Sequence, residues 1–172
     1  KGGMEFGNDP EMSAQVVAAC KKVTTKPIIT KLSPNQANIQ LNARLCIEAG
    51  TDGLAVINTI TGMAIDIEKR AAVLGNKAGG LSGPAIKPIA LKKVYDVYQV
   101  TKEHGVPILG QGGVSSAEDA IEFMLAGASV VGVGTSLFFD PLICKKINDG
   151  LEEYLEQKNL GSVDRLVGSL VA

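Results

Sequence analysis

The sequence has no tryptophan, only seven other aromatic residues, a single histidine and three cysteines among its 172 residues. Each shortage excludes something. The cysteines are odd in number, lie far apart and show no CxxC spacing, so they offer neither a disulfide framework nor a zinc site. The one histidine, His104, precedes Gly105 at what reads as a helix end, and a solvated helix terminus is a poor place for a general base. Lys and Arg number 17 against 18 Asp and Glu, for a formal net charge of −1, so no basic excess draws the chain to nucleic acid or anionic lipid. No apolar run approaches the ~20 residues that span a bilayer, and no charged segment followed by an apolar one opens the chain. These shortages point to a cytoplasmic protein with neither nucleic acid nor membrane as partner and with no bound metal.

What is plentiful is small and apolar. Hydrophobic residues make up 45% of the chain, and there are 20 glycines, a profile suited to buried parallel strands crossed by helices. The length is well short of the ~250 residues of a closed eight-stranded α/β barrel. Lys1-Gly2-Gly3-Met4 reads as the middle of a loop, and further sequence is expected upstream.

Asp9-Pro10-Glu11-Met12 predicts a helix N-terminus, with Asp9 as cap and Val16, Val17 and Cys20 as its apolar positions. A strand over 26–32 follows, then a turn at Ser33-Pro34-Asn35 and a helix through Leu41, Leu45 and Ile47 that stops at Gly50. A second strand covers 53–59. The glycine-rich excursion after it is long for a strand-to-helix connection, and such length is usually functional. The next helix starts at Pro88, and a third strand covers 106–110. Ser115-Ser116-Ala117-Glu118 reads as a capping box for a helix ending at Gly127. A fourth strand covers 130–134, and a last amphipathic helix runs from about Pro141 to Lys158, with room for a short helical piece in the tail. The expectation is an α/β chain, 1–172, forming one incomplete domain: four parallel strands with outer helices, the C-terminal half of a (β/α)8 barrel. An open half would leave two unpaired edges and a bare face. A small doubly wound sheet, with helices on both faces, is the alternative.

Gly110-Gln111-Gly112-Gly113-Val114 and Gly132-Val133-Gly134-Thr135-Ser136 each stand where a strand hands over to a helix, about 20 residues apart. Glycine lets main-chain N–H groups approach an anion, and the last two strand-helix loops of such barrels commonly bind phosphate. Tight turns chosen for packing are the alternative. Neither run is GxGxxG, which disfavours direct NAD binding of the doubly wound type. Lys31 ends the first strand, where it either partners an anionic cofactor or begins an exposed loop. Asn58-Thr59 occupy the same place on the second strand, as a binding pair or a local turn. Gly79-Gly80-Leu81-Ser82-Gly83-Pro84 either covers a cofactor or shapes the loop. Cys20, Cys46 and Cys144 fall inside helices and read as packing.

Several passages taken in order carry a resemblance: Gly2-Gly3-Met4-Glu5-Phe6-Gly7, Thr30-Lys31-Leu32-Ser33-Pro34-Asn35, Val56-Ile57-Asn58-Thr59, Gly79 to Pro88, and the two glycine loops. They resemble the dihydroorotate dehydrogenases of the FMN barrel family, with Ile60-Thr61-Gly62-Met63-Ala64-Ile65-Asp66-Ile67 closest to class 1B catalytic subunits. The resemblance implies FMN held by Lys31, Ile57, Gly83, Gly112, Gly113, Gly134 and Thr135, with substrate bound by Asn58 and Thr59. It implies oxidation of dihydroorotate to orotate in pyrimidine synthesis, a homodimer, and a partner subunit carrying FAD and an iron–sulfur cluster that passes electrons to NAD. In that family the catalytic base is a cysteine in an Asn-x-Ser-Cys-Pro-Asn segment just before the Gly-Gly-Met stretch, so it is expected upstream of Lys1. The alternatives are another phosphate-binding barrel enzyme without flavin, and an inactive half barrel.

Overall fold

The computed structural model of the protein describes residues 3–171, with side chains from Phe6 onward. A short helix, α1 (Gly3–Asn8), stands where the sequence suggested loop; Lys1 and Gly2 lie outside the described residues. Asp9 then starts α2 (Pro10–Lys21), its carboxylate accepting from the N–H groups of Glu11 and Met12 at 2.9 and 3.1 Å. Four strand-helix units follow: β1 (Ile29–Leu32) and α3 (Ile39–Glu48); β2 (Gly53–Val56) and α4 (Lys87–Thr101); β7 (Ile108–Gln111) and α5 (Ala117–Leu125); β8 (Val130–Gly132) and α6 (Ile143–Gln157). Between β2 and α4 the excursion folds into two small antiparallel hairpins, β3 (Ile60–Gly62) with β6 (Gly79–Leu81) and β4 (Ile65–Asp66) with β5 (Ala71–Ala72). Val163–Arg165 form the expected helical turn in the tail.

The four longer strands make one parallel sheet in the order β1-β2-β7-β8. Helices α2 to α6 form one layer in which each packs on the next. One face of the sheet supports them: Leu32, Leu54, Val56 and Ile108 are sealed against that layer with Val94, Val97 and Phe123. Among the described residues the opposite face carries no helix, which removes the doubly wound alternative, and the winding is that of half a (β/α)8 barrel. Register places Ile29 and Lys31 of β1, Gly53 and Ala55 of β2, Leu109 and Gln111 of β7, and Val130 and Gly132 of β8 on this bare face. It is layered. Ile29, Leu109 and Val130 line an apolar cleft at the strands' N-terminal ends, with Ile29 and Val130 60% and 57% exposed, while Lys31 and Gln111 stand toward the C-terminal ends.

Several local expectations need correction. The strands are shorter than drawn: β2 stops at Val56, so Asn58-Thr59 belong to the turn beyond it, and β7 begins two residues later than drawn. Helix α3 buries Ile39, Asn42, Ala43 and Cys46, an i, i+3, i+4, i+7 stripe, rather than Leu41, which is exposed. In α2 only Val17 of the three expected apolar positions is buried; Val16 and Cys20 face a groove beside the open β1 edge. Cys144 is exposed too, so packing holds for Cys46 alone. The α5 cap is Ser116, its hydroxyl accepting from the Asp119 N–H at 3.2 Å, one residue later than the box suggested.

Candidate functional site

The C-terminal ends of the four strands open into two adjoining hollows. The first, of about 170 Å³, is lined by Lys31, Ile57, Asn58, Thr59, Gly83, Gln111, Gly112, Gly113, Gly134 and Thr135, together with Ser82 and Ser136. All nine candidates from the sequence thus meet in one cleft. The second, of about 560 Å³, shares Lys31, Asn58 and Thr59 and is otherwise walled by Asn8, Ser33, Asn35, Thr61, Asn76 and the Gly79-Gly80 strand. Lys31 is the one charged residue in either lining, and no hydrogen-bond acceptor engages its ammonium group among the described residues. A cation so placed, with no carboxylate in the lining, favours an anionic ligand.

The glycine loops are shaped by close approach. Gly112 and Gly113 adopt φ of +131° and +89°. A Cβ at Gly112 would come within 2.8 Å of the Ala90 Cβ, and one at Gly113 within 2.8 Å of the Gly83 carbonyl oxygen. Side chains are therefore excluded from the turn, and its surface is left to the main chain. At Gly134 an added Cβ would meet nothing within 4 Å, so the second loop leaves open space at the cleft. This arrangement leaves room for an anionic group such as a phosphate against the main chain.

The walls are tied together from behind. Thr135 donates its hydroxyl to Ser82 at 2.9 Å, joining the β8 loop to the excursion, and Ser136 donates to the Val114 carbonyl at 2.7 Å, joining the two glycine loops. Gln111 holds Ile57 twice: its carbonyl accepts from the Ile57 N–H and its side-chain amide donates to the Ile57 carbonyl, each at 3.0 Å. The Val56–Ile57 peptide is cis. Lys87, in the first turn of α4, contacts Asp119 at 2.6 Å and Glu122 at 2.9 Å, while the other Asp119 oxygen accepts from the N–H and hydroxyl of Ser115. Burial raises the Asp119 carboxyl, but hydrogen bonds from Lys87 and Ser115 outweigh it and leave its pKa below the ordinary value; bonds to Asp119 and Glu122 raise that of Lys87.

Gln111 was visible in the sequence only as part of a glycine motif, and Ser82, Ser136, Asn35 and the Lys87–Asp119 pair were missed as individuals. An acid at the third position of α5, after two serines, was the signal available for Asp119. His104 sits in an exposed turn before β7, at the opposite end of the sheet from the cleft. Cys46 is buried, and desolvation pushes its thiol up to about 11, so it stays protonated near neutral pH. None of the three cysteines lines either hollow.

Residues 1–155 match the family model described as dihydroorotate dehydrogenase. The chain belongs to the dihydroorotate dehydrogenase family. A relative in Geotalea uraniireducens, named dihydroorotate dehydrogenase B (NAD(+)), catalytic subunit, is 50% identical over 171 residues, which cover 99% of this chain and 55% of the relative. The protein of the same name in Pelobacter propionicus is 51% identical over 170 residues, with the same coverage. That of Oceanobacillus iheyensis is 46% identical over 167 residues, 97% of this chain and 54% of its own length. The chain thus spans about half the length of the curated relatives it matches. No helix among the described residues is long and apolar enough to cross a membrane.

Proposed function

We propose that this chain is the part of a dihydroorotate dehydrogenase that holds FMN and faces the substrate, the C-terminal portion of an FMN-binding (β/α)8 barrel that oxidises dihydroorotate to orotate for pyrimidine synthesis. The observation that carries the reading is the meeting of two glycine loops, Asn58-Thr59 and a lone cation, Lys31, in one cleft at the strand C-termini. FMN, when bound, supplies the acceptor for the hydride leaving C6 of dihydroorotate. The main-chain N–H groups of Gly112, Gly113 and Gly134 and the Thr135 hydroxyl would hold its phosphate and ribityl chain, with Gly83 closing the opposite side. Lys31 would supply the fixed positive charge that an electron-accepting flavin favours, and Ile57 a backbone contact. Asn58 offers donors and an acceptor, and Thr59 a hydroxyl, to a planar ring bearing carbonyl, N–H and carboxylate groups.

The proton leaving C5 needs a base, and neither hollow contains one suited to it among the described residues. In the family pattern that group is the cysteine of an Asn-x-Ser-Cys-Pro-Asn segment, which this sequence does not contain. The relatives' name supports NAD as final acceptor and a separate electron-transfer subunit; by the family resemblance alone that subunit would carry FAD and an iron–sulfur cluster, and the catalytic subunits would pair as a homodimer in the cytoplasm. The test is to titrate the whole purified protein with FMN and then add dihydroorotate without oxygen. Uptake of FMN and bleaching of its yellow colour with release of orotate is the expected result. A folded protein that takes up no FMN would instead favour a flavin-free phosphate-binding barrel enzyme.

A further inference from the structure

The excursion between β2 and α4 has few anchors to the rest of the fold. Strand β3 pairs with β6 along one edge, with Thr61 opposite Gly80 and Gly62 opposite Gly79. Among the described residues the other edge of this segment is met by one side chain, that of Asn35. The Asn35 amide nitrogen donates to the Thr59 carbonyl at 3.0 Å, and its oxygen accepts from the Thr61 N–H at 2.9 Å. A carbonyl at one position and an N–H two residues on form the pair that a neighbouring strand engages, so the carboxamide takes the place of a missing peptide group.

Asn35 is itself fixed. Its own N–H donates to the Ser33 hydroxyl oxygen at 3.2 Å, and that hydroxyl donates to Asn8 at 2.8 Å. Asn42, wholly buried under the same loop, donates to the Gly7 carbonyl and to Gln36, whose amide donates to the Ser33 carbonyl. The loop after β1 is therefore braced by α1 and α3, and Asn35 transmits that brace to Thr59. Gly80 bears directly on the Thr59 side chain, leaving no room for a Cβ. Thr59 thus has Gly80 against its side chain and the Asn35 amide on its carbonyl.

We infer that Asn35 is a positioning residue for substrate: its carboxamide sets the main chain of Asn58-Thr59 and the height of the 60–81 arm over the larger hollow. The inference rests on the reading that this hollow takes dihydroorotate. Two substitutions separate positioning from mere support. Asn35→Ala removes both bonds, so dihydroorotate KM rises by roughly tenfold while FMN affinity stays within about twofold. Asn35→Asp keeps the acceptor for the Thr61 N–H but turns a carboxylate on the Thr59 carbonyl, so near pH 8 it is the more damaging of the two. With an ordinary pKa of ~3.9 the introduced carboxyl stays ionised across the working range, so the lost donor is not restored there.

The assay is steady-state kinetics of the whole, flavin-loaded enzyme near pH 8, with kcat and KM separated and FMN content measured on each variant. Unchanged KM in both variants, a loss confined to kcat, loss of FMN in step with activity, or an Asn35→Asp defect smaller than that of Asn35→Ala would each overturn the inference. Absence of dihydroorotate oxidation in the wild type would overturn the functional reading instead, so the two failures are distinct.

Discussion

The wall of the cleft built from the β7 and β8 loops is held by buried contacts, whereas the arm from Ile60 to Leu81 on its other side is held largely by its own backbone. Gly112 and Gly113 press against Ala90, Gly83 and Lys87, and a salt bridge with Asp119 closes the space behind them. The arm has strands of two or three residues and leaves Met63, Ile65, Ile67 and Val73 exposed. Its ties to the rest of the site are few: the Thr61 N–H donates to Asn35, and just beyond Leu81 the Thr135 hydroxyl donates to Ser82. A preformed wall suits a cofactor that stays bound, because its geometry is fixed before the ligand arrives. An arm with few buried contacts lies at the low end of local stability and can adjust to a substrate that enters and leaves each cycle.

The sharpest way to break this contrast is to put a side chain into the rigid wall. Gly113→Ala forces a Cβ to within 2.8 Å of a carbonyl oxygen and 3.0 Å of a main-chain nitrogen, neither of which can swing aside, at a φ of +89°. Such backbone strain alone costs ~1–3 kcal/mol, and the overlap adds to it, so FMN affinity should fall at least about 100-fold. Fluorescence titration checks this; binding within threefold of wild type would mean that the loop yields as readily as the arm. Asn58→Ala acts at the junction of the two regions. Losing hydrogen bonds of ~1 kcal/mol each should lower kcat/KM for dihydroorotate by roughly tenfold and leave FMN in place. Loss of FMN with normal substrate kinetics in reconstituted enzyme would move Asn58 from the substrate side to the cofactor side.

The same contrast explains what the sequence disclosed. The strand-helix units were legible because each couples an apolar strand to a capped, periodic helix, as at Asp9 and at Gly50, where φ is +97°. The glycine loops were legible because close approach leaves a residue type behind. The hairpins of the arm were not: runs such as Ile60–Gly62 and Ala71–Ala72 are too short to show a period, and their pairing partners lie up to about 20 residues away. Helix α3 misled because Asn42 and Cys46 belong to its buried stripe, a polar residue satisfied by Gly7 and Gln36 where an apolar one was expected. Lys87 and Asp119 stand 32 residues apart, and only the packing of α4 beside α5 brings them together. The edges of the sheet and its bare face were foreseeable from strand count alone.

The smallest expected effect tests whether the salt bridge contributes to the rigidity of the glycine-loop wall. Asp119→Asn keeps an acceptor for Ser115 but removes the charge facing Lys87, which Glu122 still engages at 2.9 Å. The substitution should therefore speed FMN release only about threefold and lower the melting temperature by a few degrees, in line with loss of a partly compensated charged hydrogen bond of ~1 kcal/mol. Its signature is pH dependence. The folded pKa of Asp119 lies below its ordinary value of 3.8, so its stabilising contribution is complete above that value and is lost as pH falls through the lower, folded one. Lys87, raised above 10.5, keeps its part until pH climbs through its folded value. Between those limits wild type should exceed the variant in melting temperature by a constant margin, and the margin should close as pH falls below about 4, because wild type then loses by protonation what the variant already lacks. Thermal melts of the flavin-free protein follow this without interference from the ionisation of the FMN phosphate. A margin that persists unchanged through the acid range would show that Asp119 acts by shape rather than by charge, and the rigid wall would then owe its order to glycine packing alone.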